Sequence, residues 1–193
     1  MCHKLLGDVR LFETLVQIDE ELAADARAAG CPYCAGRLDS ARYPRKPRGG
    51  PSALDAVPAS RRSFCCAAPD CRRRTTPASV CFLGRRVYLA AVIVLLTAFE
   101  HGATVRRVEE LRVRLGVSLT TATVSRWRTW WRERFPRAPF WKHAKGRFTP
   151  PVAESLLPGS LLVRFATGDE AARVAALLRF VAPITAPVSS FAM

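Results

Sequence analysis

The sequence has little negative charge. Sixteen acidic residues stand against 30 lysines and arginines, and the formal net charge is +14. Residues 1–30 hold six of the acids, so residues 31–193 carry ten acids against 27 bases. A high-GC genome would explain why arginine outnumbers lysine 26 to 4, but it does not explain the excess of bases over acids. A chain this basic is expected to bind a polyanion such as nucleic acid.

Long apolar segments and some familiar motifs are also missing. The most apolar run, Val87–Phe99, has 13 residues. That is too short for a transmembrane helix, which needs about 20 residues. No His-x-Glu motif is present, which excludes a zinc deaminase. The first residues are charged and helix-forming rather than an apolar leader, so we expect a reducing cytoplasm in which the seven cysteines are thiols.

Four of the seven cysteines form two closely spaced pairs, each around a tight turn. The predicted ligands are Cys31, Cys34, Cys66 and Cys71. Two such pairs are typical of a tetrahedral four-thiolate zinc site, and four protein ligands leave no position for a substrate. We therefore predict a structural Zn²⁺. Cys65 is an alternative to Cys66, although Phe64, two residues earlier, favours Cys66 as in the hairpin of a zinc ribbon.

The segment between the two pairs is long for a compact ribbon. Thirty-one residues separate Cys34 from Cys66, and the excess is expected to be an insertion at Pro44–Ser60, rich in Pro, Gly and Ala. The first pair, Cys-Pro-Tyr-Cys, also matches a redox dithiol motif. That chemistry needs the first thiol at the start of a helix after a buried strand. Here a predicted helix precedes the pair, and prolines and glycines follow it, so the redox alternative is disfavoured.

Apolar periodicity predicts the remaining elements. An amphipathic helix at Asp8–Ala29, ended by Gly30, buries Leu11, Leu15, Ile18 and Leu22 and packs on the basic body or on a partner. The other predicted elements are a basic loop or short strand at Arg37–Arg48, a strand at Ser79–Leu83, an apolar helix at Arg85–Glu100, a strand at Leu161–Phe165 and a helix at Asp169–Val181. The basic, aromatic connector Pro136–Pro151 either extends a DNA-binding surface or pins a loop to the core.

Two further helices have the pattern of a helix-turn-helix. The first, Val105–Leu115, presents Val105, Val108, Leu111 and Leu115 on one face. After a turn at Gly116–Ser118, the second runs from about Thr121 to Phe135, with Val124, Trp127, Trp131 and Phe135 inward. An ordinary helical hairpin with a basic face is the alternative. Arginine pairs with guanine, and Thr or Ser bonds bases or phosphates. The predicted DNA-binding residues are Thr121, Thr123, Ser125, Arg126, Arg128 and Arg132 on this helix, with Arg72, Arg73 and Arg74 beside the second cysteine pair.

This order resembles the N-terminal DNA-binding module of bacterial insertion-sequence transposases and their accessory proteins. The resemblance covers about residues 31–135. It rests on Cys31-Pro32-x-Cys34, Phe64-x-Cys66-x4-Cys71, Arg72-Arg73-Arg74-Thr75 and Gly116-Val117-Ser118 through Thr123-Val124-Ser125-Arg126-Trp127. The chain departs from the family in its long spacer and in a turn that is about two residues longer. Such transposases also carry a nuclease domain with spaced acids. The only acids after Phe135 are Glu154, Asp169 and Glu170, so the resemblance implies DNA binding without strand cleavage.

We therefore expect an α+β, mainly α protein in four segments. These are an N-terminal helix (1–30), a zinc ribbon with a basic loop insertion (31–84), a three-helix helix-turn-helix unit (85–135) and a connector with a short strand-helix segment (136–193). The expected function is non-enzymatic binding of double-stranded DNA in the cytoplasm, on the nucleoid. A transposase or a second copy is a further partner; no membrane and no small-molecule substrate is expected. A transcriptional regulator or an RNA-binding zinc ribbon are the alternatives.

Overall fold

The computed structural model describes residues 9–44, 60–83, 87–88, 104–106, 108–109, 113, 120–165 and 168–186. This part of the chain is mainly helical and contains a small three-stranded antiparallel sheet, which confirms the expected α+β, mainly α class. None of its helices has the length and apolar character that crossing a bilayer requires.

Helix α1 covers Val9–Ala28, within one residue of the prediction at each end. Its predicted apolar stripe is buried or half-buried: Leu11, Leu15, Ile18 and Leu22. Gly30 follows with φ of +78°, the left-handed conformation that commonly ends a helix. A Cβ at Gly30 would lie 2.9 Å from the carbonyl oxygen of Ala35, so this position also has no room for a side chain.

The acidic face of α1 is engaged within the protein. Glu20 forms an ion pair with Arg62, and Glu21 forms one with Arg179. The carboxylate of Asp19 accepts hydrogen bonds from the Ser79 hydroxyl and the Val80 N–H, both at 2.6 Å. Of the two interpretations of this helix, the contacts favour packing on the basic body.

Three strands form the sheet, in the order β1 (Leu38–Pro44), β2 (Ser60–Cys66) and β3 (Arg74–Thr75). Strands β1 and β2 pair antiparallel from Leu38 opposite Cys66 to Pro44 opposite Ser60. The segment Arg37–Arg48, predicted as a basic loop or short strand, is therefore a strand as far as Pro44. Pro44 and Ser60, the end residues of the predicted insertion, form the last pair of this ladder. Residues 45–59 lie outside the described residues.

Two further strands, β4 (Phe82–Leu83) and β5 (Val87–Tyr88), form a short hairpin. Only the last two residues of the strand predicted at Ser79–Leu83 are therefore in a strand, because the Ser79 hydroxyl accepts the N–H groups of Cys81 and Phe82 and forms a turn. The helix predicted from Arg85 is wrong at its start. Val and Tyr favour strands, and here they pair with β4 instead of opening a helix. Residues 89–100 of that prediction are not described.

The predicted helix Val105–Leu115 is described at five positions, all of them helical: Val105, Arg106, Val108, Glu109 and Val113. Val108 is buried, but Val105 is 75% exposed, so the predicted inner face is wrong there. Thr104 and Arg106 are also exposed, which places the first turn beyond the core. Leu111, Leu115 and the turn Gly116–Ser118 lie outside the described residues, and the helix-turn-helix stays a prediction.

Helix α2 covers Thr121–Thr129, and Thr120 caps it by accepting the N–H of Thr123 at 3.2 Å. The predicted start is confirmed, but the α-helix ends at Thr129. The chain continues as a π-helix, Trp130–Arg134, and a 3₁₀ turn, Phe135–Arg137. The predicted inner residues Val124, Trp131 and Phe135 are fully buried, and Trp127 is half-buried.

The π-helix contains a core residue that periodicity missed. Its i→i+5 hydrogen bonds widen the turn. Trp130 and Trp131 both pack on the core, with ring centroids 5.1 Å apart in an edge-to-face arrangement.

The described elements of the C-terminal part are all helical. Helix α3 covers Pro139–Ala144, α4 covers Gly159–Leu162 and α5 covers Glu170–Val181, and Asp169, the predicted first residue of that helix, caps it. The strand predicted at Leu161–Phe165 is therefore wrong. Leu161 and its neighbour Leu162 are both buried, which one helical turn permits and the alternation of a strand does not.

Aromatic residues of the connector pack on α5. Trp141 is fully buried, and the ring centroid of Phe148 lies 6.2 Å from that of Trp141 and 5.4 Å from that of Phe180. These contacts favour the interpretation in which the connector is pinned to the core.

The buried residues form two clusters joined by α1. The larger cluster contains the first half of α1, Val80–Phe82, the buried residues of α2 and the π-helix, and α5. The smaller cluster lies in the ribbon: Ala23, Cys31, Leu38, Phe64 and Cys66. Because α1 contributes to both clusters, it links the ribbon to the helical body.

Candidate metal centre and basic surfaces

The fold gathers the four predicted cysteines. The sulfurs of Cys31, Cys34, Cys66 and Cys71 all lie within 4.8 Å of one another. The Sγ atoms of Cys31 and Cys71 are 3.7 Å apart, and those of Cys34 and Cys66 are 3.5 Å apart. Zinc–sulfur bonds of about 2.3 Å in a tetrahedron require sulfur separations of about 3.8 Å, whereas a disulfide requires about 2 Å. The four thiols are free, and their spacing fits one metal ion.

Strand geometry places Cys66 in the cluster and keeps Cys65 out of it. Successive side chains of a strand point to opposite faces. Phe64 and Cys66 are both buried in the ribbon core, and Cys66 lies opposite Leu38 on β1. Cys65 lies on the other face, where its sulfur contacts the carbonyl oxygen of Arg72 at 3.5 Å. The preference for Cys66 on the basis of Phe64 therefore agrees with the geometry.

Each cysteine pair is held by a hydrogen-bonded turn followed by a left-handed residue. In the first, the Ala35 N–H donates to the Cys31 carbonyl at 2.8 Å, and Ala35 has φ of +56°. In the second, the N–H groups of Cys71 and Arg72 donate to the Ala68 carbonyl at 3.1 Å, and Arg72 has φ of +44°. Left-handed backbone is costly for residues other than glycine. Its presence at both turns indicates that the surrounding structure enforces this conformation.

Gly36 leaves room for the cluster. A Cβ at this position would lie 3.3 Å from the sulfurs of both Cys34 and Cys66. Glycine therefore lets the backbone pass close to two of the four thiols without displacing them.

The thiols titrate unequally. The Tyr33 N–H donates to the Cys31 sulfur and lowers the pKa of that thiol to about 7. At Cys66 the N–H of Ala68 lowers the pKa, but burial and the neighbouring sulfurs outweigh it and raise the pKa to about 12. Four thiolates this close repel one another unless a cation lies among them, and binding a metal releases the thiol protons.

The predicted arginines of the ribbon lie directly beside this cluster. Arg72, Arg73 and Arg74 are all exposed. Arg73 and Arg74 join the sheet next to β2, because the Cys66 N–H donates to the Arg73 carbonyl at 2.9 Å and Arg74 pairs with Cys65. The guanidinium carbon of Arg73 lies 4.4 Å from the centroid of the Tyr33 ring. Tyr33 was not among the predicted site residues, although its place inside the first cysteine pair was visible in the sequence.

Four of the six residues predicted on the second helix share one face. Thr121, Ser125, Arg128 and Arg132 line a groove of about 660 Å³ that runs along α2 and the π-helix. Thr129 and Glu133 line it as well. Thr129 continues the polar face, whereas Glu133 places a carboxylate in an otherwise basic groove.

The other two residues lie together on a different side. The Arg126 guanidinium donates to the Thr123 hydroxyl at 3.3 Å, and that hydroxyl also contacts Thr120 Oγ1 at 3.0 Å. Thr123 is half-buried in the cap of the helix. Arg126 is exposed, whereas the Thr123 hydroxyl already has partners within the protein.

The chain matches no protein-family model, and neither a curated protein nor a solved structure is significantly similar to it. The function proposed below therefore rests on geometry, charge and the sequence motifs.

Proposed function

We propose that this chain binds double-stranded DNA through α2 and uses a structural zinc ribbon to hold a second, phosphate-binding surface. The observation that carries the proposal is the groove along α2 and the π-helix, which Thr121, Ser125, Arg128 and Arg132 line. The opposite side buries Val124 of α2 and Trp131 of the π-helix and is thereby anchored. A helix held by its apolar side and presenting Arg, Ser and Thr is suited to contact base edges in a major groove.

The ribbon provides the second part of the proposal. A closed set of four thiolates at tetrahedral spacing suits Zn²⁺ in a structural role. Loss of the ion would remove a binding energy of roughly 10–16 kcal/mol in comparable small domains, so the ribbon would unfold without it. The exposed arginines beside it would supply salt-dependent affinity for phosphates, while α2 would supply the sequence preference.

Two acids after Phe135 have structural roles, which supports binding rather than cleavage. The carboxylate of Glu154 accepts from the indole N–H of Trp141 at 2.8 Å and from Lys145 at 3.3 Å. Asp169 caps α5. With the resemblance of the motifs to insertion-sequence proteins, we propose recognition of insertion-element ends or of an operator by a non-enzymatic protein.

The test begins with a duplex enriched from a random pool by the wild-type protein. Arg128→Ala should weaken binding to the enriched duplex by about 10- to 100-fold, the range for one lost arginine–guanine contact. Binding to random duplex should change much less. Arg27→Ala is the matched control, because Arg27 is an exposed arginine on α1 and its loss changes the net charge equally.

Equal losses on the enriched and random duplexes would show that Arg128 makes only phosphate contacts, and would refute readout through this face of α2. Failure of the wild-type protein to enrich or bind any duplex would refute DNA binding itself.

A further inference from the structure

The stacked pair Tyr33–Arg73 connects the two cysteine turns. Tyr33 lies between the ligand candidates Cys31 and Cys34, and Arg73 lies two residues after Cys71. The guanidinium carbon is 4.4 Å from the ring centroid, well inside the distance of a cation–π contact. The two residues are 40 positions apart in the sequence, so the contact exists only when both turns are in place.

The backbone of both residues is fixed by the cluster. Tyr33 lies inside the turn that the Ala35 N–H closes on the Cys31 carbonyl at 2.8 Å, and the carbonyl of Arg73 accepts from the Cys66 N–H at 2.9 Å. The metal candidate site therefore determines where the ring and the guanidinium lie.

The pair faces solvent and keeps its charge available. Tyr33 is 42% exposed and Arg73 is exposed. Among the described residues, no carboxylate forms an ion pair with Arg73. A guanidinium stacked by its face on a ring still has its N–H groups along its edge, and two of them match the oxygens of one phosphate. The ring also restricts the rotamers of the arginine, so less entropy is lost when a phosphate binds.

We propose that Arg73, held on Tyr33, is the residue of the ribbon that binds a backbone phosphate of DNA through two N–H groups. The contact with the Tyr33 ring is what distinguishes Arg73 as this site. The inference rests on the proposed function and deepens it, because it distinguishes one anchored phosphate site from a diffuse basic patch.

The experiment measures duplex affinity at several salt concentrations for the zinc-loaded wild-type protein and four variants. Arg73→Lys keeps the charge but loses the planar guanidinium with its paired N–H groups. Tyr33→Leu keeps an apolar side chain but loses the aromatic ring. Each should weaken binding about three- to tenfold. The double variant should lose little more than either single one, because both changes remove the same preorganised group. Arg27→Lys is the control, because Arg27 is an exposed arginine of α1 outside both proposed DNA-binding surfaces, and it should change affinity less than twofold. Zinc content should be the same throughout.

Additive losses in the double variant, or an effect of Tyr33→Leu no larger than that of Arg27→Lys, would overturn the inference while the proposed function stands. If the wild-type protein binds no duplex, the proposed function fails. An NMR titration of the Arg73 Nε–H resonance with an RNA hairpin then decides the inference. If the resonance shifts in the wild-type protein but not in Tyr33→Leu, the phosphate site stands with RNA as its ligand. If the resonance does not shift, the inference is overturned.

Discussion

Exchanging single cysteines tests the metal centre, because the chain has two adjacent thiols of which only one lies in the cluster. Cys66→Ser should strongly weaken metal binding, and Cys65→Ser should leave it unchanged. The two substitutions are the same chemical change at neighbouring positions of β2. They differ in the face of the strand on which the sulfur lies.

The magnitude follows from the number of ligands. A structural zinc site contributes roughly 10–16 kcal/mol, so an even share over four thiolates is about 2.5–4 kcal/mol for each. Loss of one thiolate should therefore reduce zinc affinity by roughly 100- to 1,000-fold. The remaining three sulfurs stay within 4.8 Å of one another, so the residual site should still bind zinc weakly.

The assay is metal analysis of protein purified under reducing conditions, followed by competition with a chromogenic chelator. We expect about one zinc per chain in the wild-type protein and in Cys65→Ser. Equal loss of affinity in both variants would refute the assignment of Cys66 by strand alternation. A wild-type protein that holds no metal and instead forms a reversible Cys31–Cys34 disulfide would refute the metal centre and favour the redox alternative.

Two further predictions concern the link between the ribbon and the helical body and the pH dependence of metal binding. Asp19→Ala should lower the free energy of unfolding by about 2–5 kcal/mol, because it leaves two buried hydrogen-bond donors without their acceptor. Glu13→Ala, at an exposed position of the same helix, is the control. If urea denaturation shows that Asp19→Ala lowers the free energy of unfolding by less than about 1 kcal/mol, the reasoning is contradicted. Zinc affinity should rise with pH, because the raised pKa of Cys66, about 12, keeps that thiol protonated at neutral pH and zinc must displace the proton. Below pH 7 the Cys31 thiol is also protonated, so zinc binding releases about one more proton there than at pH 8. A plot of log zinc affinity against pH should therefore be steeper below pH 7. The same slope at both pH values in calorimetric titrations would contradict this prediction.

Local patterns predicted the elements whose stabilising contacts lie close together in sequence. Apolar periodicity was sufficient to locate α1 and to place the starts of α2 and α5 within one residue. Each cysteine pair is likewise local, because a short turn brings its two sulfurs together. The DNA contacts on α2 stay predictions, although four of the six residues share one groove.

Elsewhere the tertiary environment overrode the local pattern. Leu161 and Leu162 are apolar enough for a strand, but both are buried against the core in a helical turn. Trp130 packs on the core beside Trp131, in a stretch that was predicted as regular α-helix and is a π-helix. Val105 fits the apolar stripe of its predicted helix, yet it is exposed, like Thr104 and Arg106 on either side of it.

The sequence by itself determined which residue types could form a metal centre and where the helices around it begin, since both depend on spacing over a few residues. Only the tertiary structure decided that the two cysteine turns meet and that Tyr33 lies under Arg73. These contacts join residues some 30 to 40 positions apart, and they follow from the pairing of β1 with β2. Periodicity carries no information about such pairings, because the register of two distant strands depends on the side chains of both strands and on the core between them.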